Sequence, residues 1–404
     1  MKLIFKLVLG ILIGLGVGYG YYAFEAGTTL SSVFEFGTRL LLTLESFLGQ
    51  FIFFMIPLII LFFIASGIQQ IGAGSGKVVG ATLGTAYIST IVAGTLAYIV
   101  AILIIPSITD GGSIPEEGEG LEPFFVLEVP PVMDIMTALV MAFAFGIVLT
   151  FFKSDVMSKW FDEGKKVVEI LIEKVVITIL PFFIAGVFAG LGAEGTVIET
   201  IAVFGLVLLL AIAMHWVWLI VLYSIAGALM GVNPFTLIGK ILPAYFTAIG
   251  TMSSAATIPV TLKQVKTFGV RKNIAEFVIP LCATIHLSGS VITITTASIA
   301  VMSILPGYET PGMLSMLGTI LLLGVVMVAA PGVPGGAIMA ASGVLALNLG
   351  FSNEALAFMI AIYMAQDSFG TATNISGDGA ITVFIDWFDK KFNKNSTTEL
   401  ENSL

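Results

Sequence analysis

The sequence predicts an all-α polytopic membrane protein with eight transmembrane helices and two re-entrant helical hairpins. First, 57% of the 404 residues are hydrophobic and only 11% are charged, which is too little polar surface to cover a water-soluble globule. Second, apolar runs such as 51–66, 206–230 and 313–330 approach or reach the roughly 20 residues that a helix needs to cross a bilayer. Third, glycine- and proline-rich interruptions divide two apolar stretches in the second half of the chain.

The apolar runs indicate helices because they are hydrophobic on every face, whereas the strands of a membrane barrel alternate in polarity. The first run follows Lys2 and Lys6, and it lacks the small-residue cleavage site of a signal peptide, which favours a retained helix. Cys282 is the only cysteine, so no disulfide within the chain is expected.

The basic residues predict the topology, because Lys and Arg favour cytoplasmic loops. Placing both termini in the cytoplasm puts nearly all of these residues on that side, and Arg39 is the clear exception. The predicted spans are helix 1 at 3–24, helix 2 at 35–70, helix 3 at 77–105, helix 4 at 131–152, helix 5 ending near 191, helix 6 at 197–230, helix 7 at 271–303 and helix 8 at 354–388.

The formal charge of −9 comes partly from acidic residues in two places, a loop between helices 3 and 4 and the C-terminal end of the chain. We expect these residues to lie on solvated faces rather than in partner sites. They are Glu116, Glu117, Glu119, Glu122 and Glu128 in the loop, and Asp386, Asp389, Glu399 and Glu401 near the C-terminus.

Two segments do not fit the alternation of simple spans. Segment 243–262 is short, rich in Ser, Thr and Gly, and flanked on both sides by basic residues, so both of its ends are expected inside. It predicts a re-entrant hairpin with its tip at 251–257, a structure tolerated at membrane depth only where protein or water covers it. Segment 312–350, centred on 329–336, predicts a second hairpin that opens outward.

The two predicted hairpins form a repeat of opposite orientation. Each precedes a long helix, and each tip is expected to contain a proline, Pro259 or Pro334. Inverted repeats with broken helices place substrate and ion sites near the middle of the bilayer in transporters. The alternative interpretation is that these glycines and prolines only kink ordinary helices.

Two carboxylates, Asp367 and Asp378, lie in the otherwise apolar last span, where an ionisable group costs about 2.5–3.5 kcal/mol on insertion scales. In an unbroken helix they share one face with Gly370, Thr371 and Asn374. A buried carboxylate stays ionised only when it is paired or well hydrogen-bonded, and no Lys or Arg occurs between positions 272 and 390. The pattern predicts a bound ammonium group or a metal cation such as sodium; protonated carboxyls are the alternative.

The histidines and the cysteine give weaker signals. His286 lies in a polar run, 284–290, that is typical of a helix break, and it is either a core residue or a proton carrier. His215, beside Trp216 and Trp218, is expected to be structural. Cys282 is expected to pack as a small apolar residue.

Three motifs resemble those of the dicarboxylate and amino acid:cation symporters, a family that includes the glutamate transporters and the neutral amino acid exchangers. Residues 253–261 look like the serine-rich tip of the first hairpin, 332–335 like the second tip, and 367–378 like the ligand-binding last helix. The similarity covers nearly the whole chain and is strongest over 240–385.

The resemblance implies a homotrimer of elevator-type transporters in the cell (inner) membrane, with both termini cytoplasmic. A static scaffold domain would carry helices 1, 2, 4 and 5, and a mobile transport domain would carry the rest. The implied divisions are 1–75 (scaffold helices 1–2), 76–105 (transport helix 3), 106–192 (external loop and scaffold helices 4–5), 193–389 (transport domain) and 390–404 (cytoplasmic tail).

The resemblance also implies roles for the polar residues. Asp367 would receive the amino group of a substrate, Asn374 its carboxylate, and Thr371 would be a neighbouring contact. Asp378 would bind sodium. The further implied substrate contacts are Ser253, Ser254, Ser290, Val333, Gly335 and the Gly370 position; the further implied sodium ligands are carbonyls of Cys282, His286 and Asn374 at one site, and carbonyls near Thr284 and Leu287 at a second.

Two departures from the family pattern modify these expectations. Members that carry acidic amino acids place an arginine where this chain has Gly370 or Met252, so an acidic side chain would be buried unpaired and a neutral substrate is predicted. Gly370 is also expected to enlarge the pocket. The acidic ligand of a third sodium is replaced by Ser288, and Ala86 stands where a hydroxyl is usual although Thr85 remains, so fewer than three sodium ions are expected.

The sequence therefore predicts a sodium-coupled carrier, by symport or exchange, of small neutral amino acids such as alanine, serine, threonine or cysteine. The alternatives are a dicarboxylate or acidic amino acid symporter, a proton-coupled carrier that uses His286, and a channel. An enzyme is disfavoured, because no metal cluster, nucleophile–base pair or nucleotide fingerprint occurs. The expected partners are substrate, membrane lipid and identical subunits, with no nucleic acid.

Overall fold

The computed structural model describes residues 2–24, 27–72, 77–109, 121–152, 154–195, 197–305 and 307–392, and within these ranges it contains helices and no strand. The helices are α1 (Lys2–Ala23), α2 (Thr29–Ile59), α3 (Ala65–Gly72), α4 (Lys77–Thr109), α5 (Ile135–Phe151), α6 (Asp155–Leu171), α7 (Ile177–Ala193), α8 (Val197–Met230), α9 (Pro234–Thr251), α10 (Ser254–Lys266), α11 (Lys272–Ile285), α12 (Ser288–Ile304), α13 (Met313–Met327), α14 (Gly336–Leu349) and α15 (Asn353–Phe392). One π-helical turn joins α2 to α3 and another joins α6 to α7, so each pair forms a continuous helix.

Six helical stretches among the described residues are long and apolar enough to cross a membrane. They are Phe5–Ala23, Thr29–Gln69, Lys77–Ser107, Asp155–Ala193, Val203–Met230 and Lys272–Ile304. Three shorter apolar helices lie at 137–151, 313–327 and 336–349. The prediction of an all-helical multi-pass membrane protein is therefore confirmed at this level, and the number of eight spans stays a prediction.

Two helix starts differ from their predicted positions because of capping. α2 begins at Thr29 rather than near 35, since the hydroxyl of Thr28 accepts the Ser31 N–H at 3.1 Å. α5 begins at Ile135 rather than 131, since two prolines precede it and Asp134 accepts the Thr137 N–H at 2.9 Å. Side-chain caps of this kind satisfy N–H groups that have no partner inside the helix.

α1 packs along α7 through a row of glycines at a spacing of four residues. A Cβ atom on Gly10, Gly14 or Gly18 would clash with a backbone carbonyl oxygen of α7, at Pro181, Ala185 and Ala189 respectively. Small residues at this spacing let two membrane helices approach until their backbones touch. The close contact of α1 and α7 therefore depends on the missing side chains.

Gly14→Ala is expected to destabilise the protein by about 1–3 kcal/mol, because the added methyl group overpacks the contact of α1 with α7. Gly16→Ala is the matched control. Gly16 is exposed on the same helix, with no neighbouring atom within 4 Å of the position that a Cβ atom would take, and both changes bring the same gain in helix propensity. The unfolding temperature of the purified variants measures the difference, and equal midpoints for the two variants would contradict the packing argument.

Arg39, the exception to the charge rule, is held by the segment that precedes α5. Its Nε atom donates to the Glu122 carbonyl oxygen at 3.1 Å, and its guanidinium lies 4.7 Å from the centre of the Phe124 ring. The Phe124 N–H donates to the Thr43 hydroxyl at 2.9 Å. The charge of Arg39 thus fastens residues 122–124 onto α2.

Asp386 and Asp389 are buried, so the prediction that they lie on a solvated face was wrong. Each is 5% exposed. Arg271 reaches both, with Nε 2.6 Å from an Asp386 oxygen and Nη2 2.8 Å from an Asp389 oxygen, and Lys390 also pairs with Asp386 at 2.6 Å. α15 extends to Phe392 and packs against the loop before α11, and buried carboxylates persist where cations pair with them.

Several predicted features lie outside the described residues. They are Glu116, Glu117 and Glu119 of the predicted acidic loop, and residues 393–404 of the predicted tail with Glu399 and Glu401.

Both predicted hairpin segments contain two helices that are joined by a short non-helical tip. α9 packs against α10 with Met252 and Ser253 between them, and α13 packs against α14 with residues 328–335 between them. The first pair begins at Pro234, earlier than predicted. Pro259 lies inside α10 rather than at the tip, so that prediction was wrong, whereas Pro334 does lie in the second tip.

The predicted helix 7 is two helices, because the chain leaves helical geometry at His286 and Leu287 between α11 and α12. α15, in contrast, is one unbroken helix of 40 residues. The polar residues from Asp367 to Asp378 therefore do follow one another on a continuous helix, and this helix passes the break between α11 and α12.

Candidate functional site

A pocket lies where the two hairpin tips meet the break between α11 and α12 and the middle of α15. The empty space within it is about 330 Å³, a figure that includes open solvent at its mouth. It is lined by Met252, Ser254, Ala283, Thr284, Leu287, Ser290, Ala330, Pro331, Gly332, Val333, Ala337, Tyr363, Asp367, Thr371 and Asn374.

The lining contains one carboxylate, Asp367, and no Lys, Arg or His. Asp367 is 4% exposed, and its Oδ2 atom accepts the Gly335 N–H at 2.8 Å. The Thr371 hydroxyl donates to Oδ1 at 3.4 Å, and Tyr363 also faces this carboxylate. These contacts fix the direction of the carboxylate, and no protein cation in the pocket lining balances its charge.

Asn374 joins α15 to the first turn of α12. Its Oδ1 atom accepts the N–H groups of Gly289 at 2.8 Å and Ser290 at 3.3 Å, and its Nδ2 atom donates to the Ser290 hydroxyl at 3.0 Å. Leu287, the residue that precedes α12, makes no side-chain capping bond. Asn374 thus caps a helix that lies 84 to 85 positions away in the chain.

The N-terminal ends of α10, α12 and α14 converge on the pocket. Ser254, Ser290 and Ala337, each in a first turn, belong to the lining. Helix N-termini carry a partial positive charge, which favours an anionic group even where, as at α12, a side chain already accepts from N–H groups of the first turn. The pocket therefore offers one negative group at Asp367 and partial positive charge at three helix ends, an arrangement that fits a small zwitterion.

The two tips contact each other. The hydroxyl of Ser253, which caps α10, also lies 3.4 Å from the Gly332 carbonyl oxygen. Met252, before it, has φ of +53° and is the one non-glycine residue in the left-handed region among the described residues. Such a conformation is costly for a side chain with a Cβ atom, and here it turns the chain sharply at the mouth of the pocket.

Asp378, one turn beyond Asn374, lies outside the pocket lining and is fully buried. Its Oδ1 atom is 2.9 Å from His286 Nδ1, and the Nε2 atom of that ring is 2.9 Å from the Ser89 hydroxyl of α4. Its Oδ2 atom has no hydrogen-bond partner among the described residues. A buried carboxylate oxygen without a partner is costly, and a cation would satisfy it.

The other predicted sodium ligands gather near His286. The Cys282 carbonyl oxygen accepts the His286 N–H at 2.8 Å, and the imidazole also contacts the Asn374 backbone. The imidazole ring of His286 thus lies among the predicted sodium ligands, and the sequence did not indicate this position of the ring. Thr284 and Leu287 line the pocket, and the Thr284 hydroxyl donates to the Leu281 carbonyl at 2.8 Å.

No three His, Cys, Asp or Glu side chains form a cluster in the part of the chain that the structure describes. A cation beside Asp378 would therefore depend on backbone carbonyl and hydroxyl oxygens, the hard ligands that suit a hard cation. Ser288, at the position of the replaced acidic ligand, is buried, and its hydroxyl has no partner among the described residues.

Gly370 lies beside Ser290 of the pocket lining, and the expectation that it enlarges the pocket stays a prediction. A Cβ atom there would lie 3.6 Å from Gly289 C, Ser290 N and Thr293 Oγ1, so this face of α15 packs on α12. His215 contributes to the same contact, with Nε2 2.9 Å from the Gly289 carbonyl and 3.1 Å from the Thr293 hydroxyl. Its predicted structural role fits these contacts.

The structure brings together most of the predicted substrate contacts. Ser254, Ser290, Val333, Thr371, Asn374 and Asp367 line the pocket, while Ser253 and Gly335 touch it through their hydrogen bonds. Sequence reasoning missed Tyr363 and Ser89. The position of Tyr363, four residues before Asp367 and therefore on the same helix face, was the available signal for it; Ser89, on a distant helix, gave none.

Comparison with known proteins assigns this chain to a protein family. The model of the sodium:dicarboxylate symporter family matches residues 2–388. The chain belongs to the sodium:dicarboxylate symporter family. The resemblance inferred from the hairpin tips and the last helix is thereby confirmed, and members of this symporter family are transporters rather than enzymes.

Curated relatives of this symporter family member include transporters of two kinds. The chain is 28% identical to excitatory amino acid transporter 1 of Homo sapiens over 228 residues, which is 55% of this chain and 40% of that protein. It is 34% identical over 218 residues to the serine/threonine transporter SstT of Streptococcus thermophilus strain CNRZ 1066, 51% of this chain and 52% of the relative. For SstT of Acinetobacter baumannii strain SDF the identity is 30% over 265 residues, which is 61% of this chain and 62% of that relative. The matches thus span about half the length of these relatives.

Proposed function

We propose that this protein is a sodium-coupled secondary transporter of small neutral amino acids such as alanine, serine, threonine or cysteine. The observation that carries the proposal is the charge of the pocket, whose lining has one carboxylate and no basic side chain. An ammonium group is the counter-charge that Asp367 requires, and the carboxylate of the same amino acid would meet Asn374 Nδ2 and the helix ends.

The absence of a basic side chain in the lining argues against an acidic substrate. A second carboxylate would be buried without a cation, which costs several kcal/mol, and Met252, one of the two positions where an arginine would hold such a group, is an apolar lining residue. The name of one relative, serine/threonine transporter, agrees with a neutral substrate. Another relative is named excitatory amino acid transporter, so acidic substrates are included in the test below.

Sodium coupling is proposed at Asp378. The unpartnered Oδ2 atom and the nearby carbonyl oxygens support a hard cation there. Fewer than three ions are proposed, because Ser288 replaces an acidic ligand.

The mechanism proposed is an elevator motion in a homotrimer of the cell (inner) membrane, with cytoplasmic termini. The scaffold would comprise 1–75 and 106–192, and the moving transport domain 76–105 and 193–389. Packing within each part supports this division: α1 and α2 pack on α7, while α4, α8 and α12 pack around α15.

Uptake into liposomes tests the proposal. Purified protein with an inward sodium gradient is expected to accumulate labelled alanine, serine, threonine or cysteine, and aspartate or succinate is expected to compete poorly. Saturation and exchange with internal substrate would distinguish a carrier from a channel. Aspartate or succinate as the best substrate would overturn the neutral assignment.

A proton-coupled carrier is the alternative that one observation favours. His286 lies between Ser89 and Asp378 and is fully buried, so its imidazole is placed to exchange a proton with that carboxylate. Uptake driven by a pH gradient in the absence of sodium would support this alternative, whereas strict dependence on sodium at constant pH would exclude it.

A further inference from the structure

Tyr363 is a pocket residue for which neither the sequence motifs nor the proposed amine and carboxylate contacts account. It lies on α15 one helical turn before Asp367, and only 1% of its surface is exposed. A buried phenol usually directs its hydroxyl to a hydrogen-bond partner. The partner here lies in the pocket.

The hydroxyls of Tyr363 and Ser290 are 3.0 Å apart, and the Ser290 hydroxyl also receives a hydrogen bond from Asn374 Nδ2 at 3.0 Å. Tyr363 faces the Asp367 carboxylate as well. Tyr363 and Ser290 therefore form a pair of hydroxyls between the residue proposed for the amine and the residue proposed for the carboxylate.

This hydroxyl pair differs chemically from the groups beside it. An ionised Asp367 only accepts hydrogen bonds, and the amide nitrogen of Asn374 only donates them. Each hydroxyl has one proton and two lone pairs, so both can donate and accept. With Tyr363 and Asn374 as partners, Ser290 uses two of these three capacities and retains one for a ligand.

We propose that Tyr363 and Ser290 form the subsite that recognises the side-chain hydroxyl of serine or threonine. This inference rests on the proposed function, since it assumes that Asp367 and Asn374 hold the α-amino and α-carboxylate groups. An alcohol that both donates and accepts matches the pair. Alanine leaves the remaining capacity unused, and a carboxylate side chain brings a charge that the pair does not balance.

Tyr363→Phe tests the subsite, because it removes the hydroxyl and keeps the ring. Binding of L-serine and L-alanine to detergent-purified full-length protein in sodium chloride is measured by calorimetry. The affinity for serine is expected to fall roughly 5- to 10-fold, as for the loss of one neutral hydrogen bond. The affinity for alanine is expected to change less than about twofold, so the ratio of the two affinities is the readout.

Tyr98→Phe is the matched control. Tyr98 is 2% exposed in α4, and its hydroxyl donates to the Pro311 carbonyl at 2.6 Å, away from the pocket lining. This variant also loses a hydrogen bond of a tyrosine hydroxyl, here a part-buried bond to a backbone carbonyl, and the ratio of serine to alanine affinity is expected to stay at the wild-type value. An equal loss of serine and alanine binding in Tyr363→Phe would overturn the proposal and leave Tyr363 as a positioning residue for Asp367.

A second measurement needs no variant. The wild-type protein is expected to bind L-serine more tightly than O-methyl-L-serine and L-alanine, because the ether has no proton to donate. Equal binding of serine and alanine would overturn the subsite while leaving the proposed function intact. Binding of no neutral amino acid at all would instead overturn the proposed function.

Discussion

Asp367→Asn is expected to abolish transport of every amino acid, with a loss of at least roughly 100-fold in the rate at low substrate concentration. The carboxylate is 4% exposed and is the only charge in the pocket lining. Removing one partner of a buried, hydrogen-bonded charge pair costs about 2–5 kcal/mol or more, and a substrate ammonium group would be left unpaired. Initial rates of uptake into liposomes, at equal protein incorporation, measure the effect.

Two controls separate loss of binding from loss of structure. The Asp367→Asn variant is expected to keep its stabilisation by sodium in thermal unfolding, because Asp378 is untouched. Ser368→Ala removes a polar group from the next position of α15, buried at 3% exposure but outside the pocket lining, and is expected to transport normally. Wild-type rates in Asp367→Asn would refute the proposed ammonium contact.

Asp378→Asn is expected to remove the dependence of transport on sodium, or to raise the sodium concentration for half-maximal rate by on the order of 10- to 100-fold. The neutral amide cannot compensate a cation in a buried site, and its NH₂ group would present donors where a cation requires acceptors. Uptake measured over a series of sodium concentrations at constant ionic strength checks this.

His286→Gln is the companion variant for the sodium site. It keeps the backbone carbonyl at this position and removes the imidazole that contacts Asp378 Oδ1. Transport by this variant is still expected to be stimulated by sodium. If His286→Gln instead abolished ion-driven transport while Asp378→Asn kept the wild-type dependence on sodium, the proton-coupled alternative would be favoured.

Much of the fold and part of the site followed from local sequence alone. Long runs that are apolar on every face form helices in lipid, since a helix pairs its backbone polar groups within the segment and the strands of a barrel would alternate in polarity. Asp367, Thr371, Asn374 and Asp378 could be placed on one face because they share one helix, whose geometry depends on spacing alone. The glycine- and proline-rich tips marked the two helix pairs for the same local reason.

The charged ends of the helices were harder to interpret, since the environment of a charge depends on what packs against it. Asp386 and Asp389 resembled a solvated tail, yet Arg271, 115 positions before Asp386, draws them into a buried cluster. The contact of Gly370 with α12 was likewise not visible in the sequence. The spacing of residues along the chain does not show which distant helix packs against a given side chain.

The sequence by itself determined the helical membrane architecture, the family and the polar stripe of the last helix, because each depends on composition or on neighbours within one helix. The tertiary structure alone decided which distant groups complete the site. Tyr363 meets Ser290 from 73 positions away, and His286 meets Ser89 from 197 positions away. Contacts between separate helices are fixed by how the helices pack, and no local spacing in the chain encodes that packing.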